Sequence, residues 1–446
     1  MSSYLKVSGT KVVDGEGNEV ILRGAGLGGW MNMENFISGY PGCEFQIRGA
    51  LAEVVGSSKA DFFFDKYFFE EKDAKFFKSL GLNCIRLPFN YRHFEDDMNP
   101  RVLKKGGFKH LDRVIDLCAQ HGIFTILDLH AAPGGRLWEE LAKHYANNKW
   151  IAGYNPLNEP TDPTHTAVIT FYDRVYDAIR SVDTEHAIFF DGNTFASDFS
   201  HFGDAHKKWH NTAYSIHDYS VYGFPASPED YVSSDEQRGR MKRSYEKKRE
   251  WMDQRGLCVW NGEWGPVYAR QQYDGLATDA INERRYKVLK DQLAMYNQDR
   301  LSWSIWLYKD IGFQGMVHVS LETPYMTLLK DFLAKKHRLA VDAWGADTSH
   351  VQHIYQPLID HVRKEIPQEN QGLYPFPVWK LSDRVGRLSR SILVTEYLVK
   401  EWAEHFRGKN EAELDEIAKS FKFENCMCRD GLNRILMANA ELVAGQ

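Results

Sequence analysis

One pattern recurs from residue 22 to residue 307: a short apolar run, a loop, and then an amphipathic helical stretch. The apolar runs that read as strands are 22–26, 83–87, 124–129, 151–157, 187–191, 212–217, 257–262 and 302–307. Helical stretches such as FKHLDRVIDLCAQHG lie between them, and two end at Gly81 and Gly122, which suit a left-handed C-cap. Strict strand–helix alternation indicates a parallel sheet and eight repeats indicate closure, so the pattern predicts an α/β fold, a (β/α)8 TIM barrel.

The pattern changes at both ends of the chain. Residues 4–23 alternate around Asp-Gly-Glu-Gly-Asn and predict a small hairpin that caps the bottom of the barrel. Beyond about residue 340 the alternation stops, and helical stretches such as HVQHIYQPLIDHVRKEI follow. We therefore expect a barrel domain with its hairpin at 1–340 and a C-terminal helical extension at 341–446. The extension should pack on the barrel or at a subunit interface, and we expect no chemistry in it.

Composition narrows the class of partner. A net charge of −6 argues against nucleic acid, and the most basic stretch, 238–251, is interrupted by Glu246 and Glu250. The N-terminus shows no basic n-region or apolar h-region, and no run of about 18 apolar residues occurs. The six cysteines have neither zinc-site nor disulfide spacing. We expect a cytoplasmic protein with no membrane span and no cofactor, and its oligomeric state stays open.

Two glutamates, Glu159 and Glu263, each close one of the apolar runs, in IAGYNPLNEP and LCVWNGEWGP. They stand 104 positions apart and can meet only where successive strand ends converge, at the C-terminal mouth of a barrel. Paired carboxylates are the minimum equipment for cleaving a glycosidic bond. Further polar or aromatic residues occupy other strand ends, namely Arg86, His130, Asn158, His217, Tyr219 and Trp306. A single strand-end glutamate is more often part of a structural ion pair. Two such glutamates, together with these polar and aromatic residues at other strand ends, predict an active site.

This ordered set across residues 20–310 resembles glycoside hydrolase family 5, which is built on a (β/α)8 barrel. The matching motifs are Arg86 in GLNCIRLPF, His130 in ILDLHAAPG, Asn158 and Glu159 in NEP, His217 and Tyr219 in HDY, Glu263 in WNGEWG and Trp306 in SWSIWLYKD. The resemblance implies that Glu159 is the acid/base and Glu263 the nucleophile of a retaining enzyme. It also implies that Asn158 binds the 2-hydroxyl of the sugar at the cleaved position and that Trp306 stacks on that sugar.

By the same resemblance, His217 would support the acid/base, and Tyr219 would donate a hydrogen bond to the nucleophile. The segment GLGGWMNMENFISG (26–39) is similar to the strand 1 loop of fungal exo-β-glucanases in the family. There the counterpart of Glu34 holds distal hydroxyls of a terminal glucose, and the counterpart of Phe36 helps to close the pocket. The alternative for Glu34 is a solvent-facing loop charge.

Two stretches depart from the family pattern. Relatives usually carry a long aromatic loop between HAAPGG and the helix near LWEELAKHY, whereas Gly135 here runs almost directly into that helix. The stretch 62–73 is also slightly short. A more open cleft or an incompletely recorded sequence would explain both, and the leaving-group side of the site stays open.

We predict a retaining β-glycosidase that acts on β-glucosides and releases a terminal glucose or a disaccharide from a small aglycone. An exo-β-1,3-glucanase and a glycolipid-cleaving β-glucosidase are alternatives, and the non-enzyme alternative is a catalytically silent carbohydrate-binding barrel. A silent barrel should have lost an essential group, whereas every position named above is intact. A metal-dependent hydrolase would need clustered histidine and carboxylate ligands, and His130 and His217 stand alone in the sequence, so we expect no metal.

Overall fold

The computed structural model describes residues 4–60, 66–131, 135–342, 344–370 and 381–444. Its strands are β1 Lys6–Ser8, β2 Lys11–Val13, β3 Arg23–Gly26, β4 Cys84–Asn90, β5 Phe124–Ala131, β6 Ile151–Asn155, β7 Ala187–Asp191, β8 Thr212–His217, β9 Val259–Glu263, β10 Ser302–Ile305, β11 Lys309–Asp310, β12 Val317–Val319 and β13 Cys426–Cys428. Strands β3 to β10 form a closed barrel in which each strand pairs in parallel with the next and β10 closes against β3. The predicted (β/α)8 barrel is confirmed.

Each predicted strand overlaps an observed one, and five of the eight end at a different residue, of which β4 and β6 show the clearest causes. Strand β4 continues to Asn90, because its last residues pair with β5 as far as Ala131. Strand β6 ends at Asn155, because the next residue is Pro156, which has no N–H for the ladder. These ends matter because the strand-end side chains face the mouth of the barrel.

The helices surround the barrel and continue beyond it. They are α1 Asn35–Ser38, α2 Glu44–Val55, α3 Glu71–Ser79, α4 Gly106–Gln120, α5 Gly135–Tyr145, α6 Ala167–Arg180, α7 Asp235–Asp253, α8 Gln271–Asp274, α9 Thr278–Gln298, α10 Pro324–Leu328, α11 Lys330–Arg338, α12 Gln352–Glu365, α13 Leu381–Gly386, α14 Val394–Glu404, α15 Glu411–Ala418 and α16 Asp430–Ala444. Gly81 and Gly122 follow α3 and α4 with φ of 75° and 66°, the left-handed conformation expected of them. Every helix in the described ranges is too short or too polar to cross a membrane.

The N-terminal hairpin closes the amino end of the barrel. Its strands β1 and β2 pair around Gly9, while the predicted turn at 14–18 is closed by a single bridge between Val13 and Glu19. Leu5 and Val12 belong to the same buried apolar cluster as the first residues of several barrel strands. The hairpin therefore seals the end of the barrel opposite to the strand-end carboxylates.

The chain beyond residue 340 is joined to the barrel by strand pairing as well as by helix packing. Strand β13 pairs with β12, where Met427 lies opposite His318. The ring of Trp402 in α14 meets that of Tyr40 edge-on, with centroids 5.5 Å apart. The extension is thus helical with one added strand, and it packs on the outside of the barrel and on the loop that follows β10.

Candidate active site

A cavity of about 570 Å³ opens at the carboxyl ends of the barrel strands. Its lining residues are Glu34, Asn35, Phe36, His130, Glu159, Thr194, Phe195, Ser197, His217, Tyr219, Glu263, Trp306, Trp344 and Arg387. Of the ten side chains singled out from the sequence, eight line this cavity. The other two, Arg86 and Asn158, are hydrogen-bonded to the lining residues Glu263 and His130. A second cavity, of about 400 Å³, borders Phe224 and Phe313, and its described lining includes none of the ten.

Glu263 is held by two hydrogen-bond donors. The Tyr219 hydroxyl donates to Oε2 at 2.9 Å, and Nη1 of the fully buried Arg86 donates to Oε1. Burial alone would raise the pKa of Glu263, but the positive charges of His217 and Arg86 outweigh it and lower the pKa well below its ordinary range. Glu263 is therefore ionised at neutral pH.

Arg86 organises the base of the cavity. Its Nη2 lies 3.0 Å from Asp128 Oδ2 and donates to Asn155 Oδ1 at 3.0 Å and to Asn158 Oδ1 at 2.6 Å. Burial lowers the pKa of Arg86, but Asp128 and Glu263 raise it by more, so the guanidinium stays charged. Because Arg86 donates to the side-chain oxygen of Asn158, the amide nitrogen of that residue lies on the side of His130.

His130 continues this polar row. Asn158 Nδ2 lies 3.1 Å from His130 Nε2, and His130 Nδ1–H donates to Asp128 Oδ2 at 2.8 Å. The imidazole lies nearly parallel to the Trp306 ring, at 11° and a centroid distance of 5.6 Å. Trp306 directly follows β10, and its peptide bond to Leu307 is cis.

Glu34 brings a third carboxyl group into the cavity. Its Oε1 lies 3.7 Å from His130 Nε2. Burial raises the pKa of Glu34 to about 7, and the charges of Glu263 and Glu159 add to the rise against the opposing charge of His130. The alternative of a solvent-facing loop charge is wrong, because the Glu34 side chain is 29% exposed and lines the cavity.

Glu159 faces Glu263 across His217. The backbone of Glu159 is left-handed, with φ of 44°, and its N–H donates to Asp191 Oδ2 at 3.0 Å. Its side-chain Oε1 accepts from His217 Nδ1 at 2.7 Å. One carboxylate oxygen of Glu159 lies within 4.8 Å of one oxygen of Glu263. The two strand-end carboxylates therefore share one site.

Asp191 is a member of this group that the sequence analysis missed. It ends β7, is fully buried, and lies with Oδ2 3.6 Å from His217 Nε2. Burial lowers the pKa of His217, but Glu263, Glu159 and Asp191 together raise it above its ordinary value. A signal was present, because Asp191 closes the apolar run AIFFD just as the glutamates close theirs.

A strained turn follows Asp191 and supplies one wall of the cavity. Thr194, Phe195 and Ala196 are left-handed, with φ of 55°, 59° and 53°. Such a conformation costs a non-glycine residue roughly 1–2 kcal/mol. Reciprocal backbone hydrogen bonds of 2.8 and 2.9 Å between Asn193 and Asp198 close the loop and hold it. The local sequence preferences of these residues do not predict such a turn.

The C-terminal extension also reaches the cavity. Trp344 stacks on Phe36 with centroids 4.9 Å apart and rings 29° from parallel, and meets the Tyr219 ring edge-on at 5.4 Å. Arg387 lines the same cavity. From the sequence we expected no chemistry in the extension, which stays a prediction, but the chain returns to the mouth of the barrel directly after α11 and lines the cavity there.

Two groups of three side chains in the described ranges lie close enough to hold a metal ion: Glu159 with His217 and Glu263, and His165 with Asp198 and His201. The view that His217 stands apart from carboxylates is therefore wrong. In the second group the rings of His165 and His201 are stacked 4.0 Å apart at 23°, so their nitrogen lone pairs do not converge on one point. Metal-independent chemistry stays a prediction.

The two stretches that depart from the family pattern are described only in part. Helix α5 begins at Gly135, as the sequence indicates, but residues 132–134 lie outside the described residues. The same holds for residues 62–65 of the second stretch.

A closed (β/α)8 barrel whose mouth holds two facing carboxyl groups, with an arginine on one and a histidine on the other, is the arrangement of a glycoside hydrolase. The sequence model of the family described as Cellulase (glycosyl hydrolase family 5) matches residues 41–312, and the chain belongs to this family. The resemblance noted from the strand-end motifs is confirmed.

The chain is 72% identical to a protein of Phanerodontia chrysosporium named beta-xylosidase, over 99% of both chains. That alignment spans 472 positions against a chain of 446 residues, so at least 26 of its positions are gaps in this chain. A glucan 1,3-beta-glucosidase of Candida oleophila is 28% identical over 26% of this chain and 30% of its own length. The crystal structure of an endoglucanase from Thermotoga maritima superposes with a TM-score of 0.50 at 18% identity, covering 70% of this chain and 96% of that chain, and shares the fold.

Proposed function

We propose that this protein is a retaining β-glycosidase in which Glu263 is the nucleophile and Glu159 the acid/base. The observation that carries the proposal is the distance within 4.8 Å between an oxygen of each carboxyl group. Retaining enzymes place the two carboxyl groups about 5–5.5 Å apart, whereas inverting enzymes need about 6.5–9.5 Å to admit a water molecule. A pair of oxygens within 4.8 Å of each other supports the shorter, retaining arrangement.

The surroundings of the two glutamates suit different roles. Arg86 and Tyr219 hold Glu263 ionised and oriented, as a carboxylate that attacks the anomeric carbon requires. The side chain of Glu159 is 28% exposed, so it can exchange protons with solvent, and His217 fixes its direction. In the first step Glu263 bonds to the anomeric carbon while Glu159 gives its proton to the leaving oxygen. In the second step Glu159 takes a proton from water, which displaces Glu263 and releases the sugar with its original configuration.

For the sugar, we propose a terminal β-linked xylose as the preferred unit. The relative named beta-xylosidase matches this chain over its whole length at 72% identity, so the residues that line the cavity come within the compared region. A β-glucoside is the second candidate, because Glu34 and Phe36 line the cavity as the strand 1 loop of fungal exo-β-glucanases implies. The relatives named glucan 1,3-beta-glucosidase cover far less of the chain.

Hydrolysis of p-nitrophenyl β-D-xyloside, β-D-glucoside and β-D-galactoside by the purified protein tests both the proposed mechanism and the proposed sugar. We expect kcat/KM to be highest for the xyloside, and proton NMR to show the β-anomer as the first-formed sugar. The variant Glu263→Gln, which keeps the shape of the side chain, is the matched control and should be inactive. An α-anomer as the first product would refute the retaining mechanism. A clear preference for the glucoside would select the second candidate, and inactivity on every aryl glycoside would favour a silent binding barrel.

A further inference from the structure

The cavity has two chemically different sides, and Glu263 separates them. Arg86 bonds both to Glu263 Oε1 and to Asn158, so the polar row of Asn158, His130 and Glu34 lies on the Oε1 side. Tyr219 bonds to Oε2, and its ring packs against Trp344, which in turn stacks on Phe36.

The polar and the apolar side of the cavity determine the orientation in which a pyranose ring can bind. With the anomeric carbon at Glu263, one neighbour is C2, which begins the row of hydroxyl-bearing carbons, and the other is the ring oxygen, followed by C5. Hydroxyl groups need hydrogen-bond partners when they are buried, so C2, C3 and C4 belong beside Asn158, His130 and Glu34. The ring oxygen and C5 then face Tyr219 and its neighbours. Two rings pack against Tyr219, Phe224 at 5.8 Å and Trp344 at 5.4 Å, and of these Trp344 lines the cavity.

We propose that Trp344 is a specificity-determining residue that covers the C5 edge of the bound sugar; this inference rests on the proposed function. Xylose carries a plain CH2 group at C5, which suits an aromatic surface. Glucose carries a hydroxymethyl group there, whose hydroxyl would be buried against the indole without a partner, and such burial is unfavourable. Trp344 thus favours pentopyranosides over hexopyranosides.

The surrounding chain holds Trp344 in place. Nζ of the buried Lys336 donates to the carbonyl of Asn35 at 2.5 Å and to Asp342 Oδ2 at 2.8 Å, so one cation ties the strand 1 loop to the segment before Trp344. Gly345, directly after it, has φ of 66°, and a Cβ there would lie 3.0 Å from Phe313 and from Val267. The turn at this position therefore requires glycine.

The test compares Trp344→Ala and Trp344→Phe with wild type on p-nitrophenyl β-D-xyloside and β-D-glucoside. The matched control is Tyr397→Ala, an aromatic residue of the same extension that is 79% exposed. A single methylene in an apolar pocket discriminates about 10–200-fold. We therefore expect the xyloside-to-glucoside ratio of kcat/KM to fall by about 10-fold or more in Trp344→Ala, by less in Trp344→Phe, and not at all in the control. The inhibition constants of free xylose and glucose should move in the same direction, which reports binding without chemistry.

The ratio separates specificity from support of the catalytic groups. If both substrates lose activity equally in both Trp344 variants and the inhibition constants keep their ratio, Trp344 merely buttresses Tyr219 and the inference is overturned. The same follows if Arg387→Ala, rather than either Trp344 variant, changes the ratio. Wild-type protein inactive on every aryl β-glycoside would reject the proposed function and this inference with it. Hydrolysis of the xyloside with an unchanged ratio rejects only the role of Trp344.

Discussion

Replacing Glu34 by Gln should stabilise the protein at alkaline pH, because the cavity crowds three carboxyl groups together. Burial raises the pKa of Glu34 from its ordinary 4.5 to about 7. In the unfolded chain this carboxyl loses its proton near pH 4.5, while in the folded protein it keeps the proton until about pH 7. The folded state therefore loses stability as pH rises from about 4.5 to 7, and the loss is complete above that range. A glutamine at this position does not ionise and avoids the loss.

The size of the effect follows from the same pKa. A rise from 4.5 to about 7 corresponds to roughly 3 kcal/mol. The side chain is 29% exposed, so solvent screening reduces this to about 1–2 kcal/mol. With an unfolding entropy of about 2.1 cal/mol/K per residue, a chain of this length gains roughly 1 °C in Tm per kcal/mol. We expect Glu34→Gln to raise Tm by about 1–2 °C at pH 8 and to leave it unchanged at pH 4.5.

Scanning calorimetry at a series of pH values between 4.5 and 8 measures this difference directly. Glu53→Gln, on the exposed face of α2, is the control for loss of a glutamate charge and should give no comparable pH-dependent rise. The reasoning is refuted if Glu34→Gln lowers Tm at pH 8, or if its effect is the same at both ends of the range. A fall in glycosidase activity in the more stable variant would show that the three-carboxylate crowding serves the substrate.

Four further outcomes are expected. Glu263→Ala should abolish turnover, and azide should restore an α-configured glycosyl azide; a β-azide would contradict the nucleophile assignment. Glu159→Ala should slow glycosides with poor leaving groups far more than activated aryl glycosides, since the latter need little protonation, and equal losses would contradict that role. Lys336→Met should raise KM more than it lowers kcat, because it loosens the loop of Asn35 rather than the carboxylate pair, and the reverse pattern would oppose this view. EDTA should leave the rate unchanged, and inhibition that zinc or magnesium reverses would show a metal at Glu159 and its neighbours.

The barrel and most of its site could be predicted because both follow from a repeating pattern. In a parallel barrel every strand ends at the same face, so a residue that closes an apolar run is placed without any knowledge of side-chain contacts. Glu159 and Glu263 were found in this way, and Asp191 satisfies the same rule. Asp191 lacked only a matching family motif.

The remaining parts of the site depend on contacts that no local pattern encodes. The left-handed turn of Thr194, Phe195 and Ala196 opposes the preference of each residue and persists because the backbone of Asn193 and Asp198 closes it. Nothing in the sequence shows that the chain turns back toward the barrel mouth after α11, so the position of Trp344 could not be predicted. Tertiary contacts, and not local conformational propensity, determine both the left-handed turn and the position of Trp344.

The extension supports the cavity from behind as well as lining it. Arg429 donates to the carbonyls of Gly315 and Gly312 at 2.9 and 3.0 Å, and so fixes the loop that follows β11. That loop carries Phe313, whose ring lies 5.6 Å from that of Phe36 on the cavity wall. Residues on both sides of position 340 therefore build one wall, from Trp344 at its surface to Arg429 beneath it. We therefore expect a sugar that contacts this wall to be recognised by the barrel and the extension together, so that sequence changes in the extension alter specificity without changing Glu159 or Glu263.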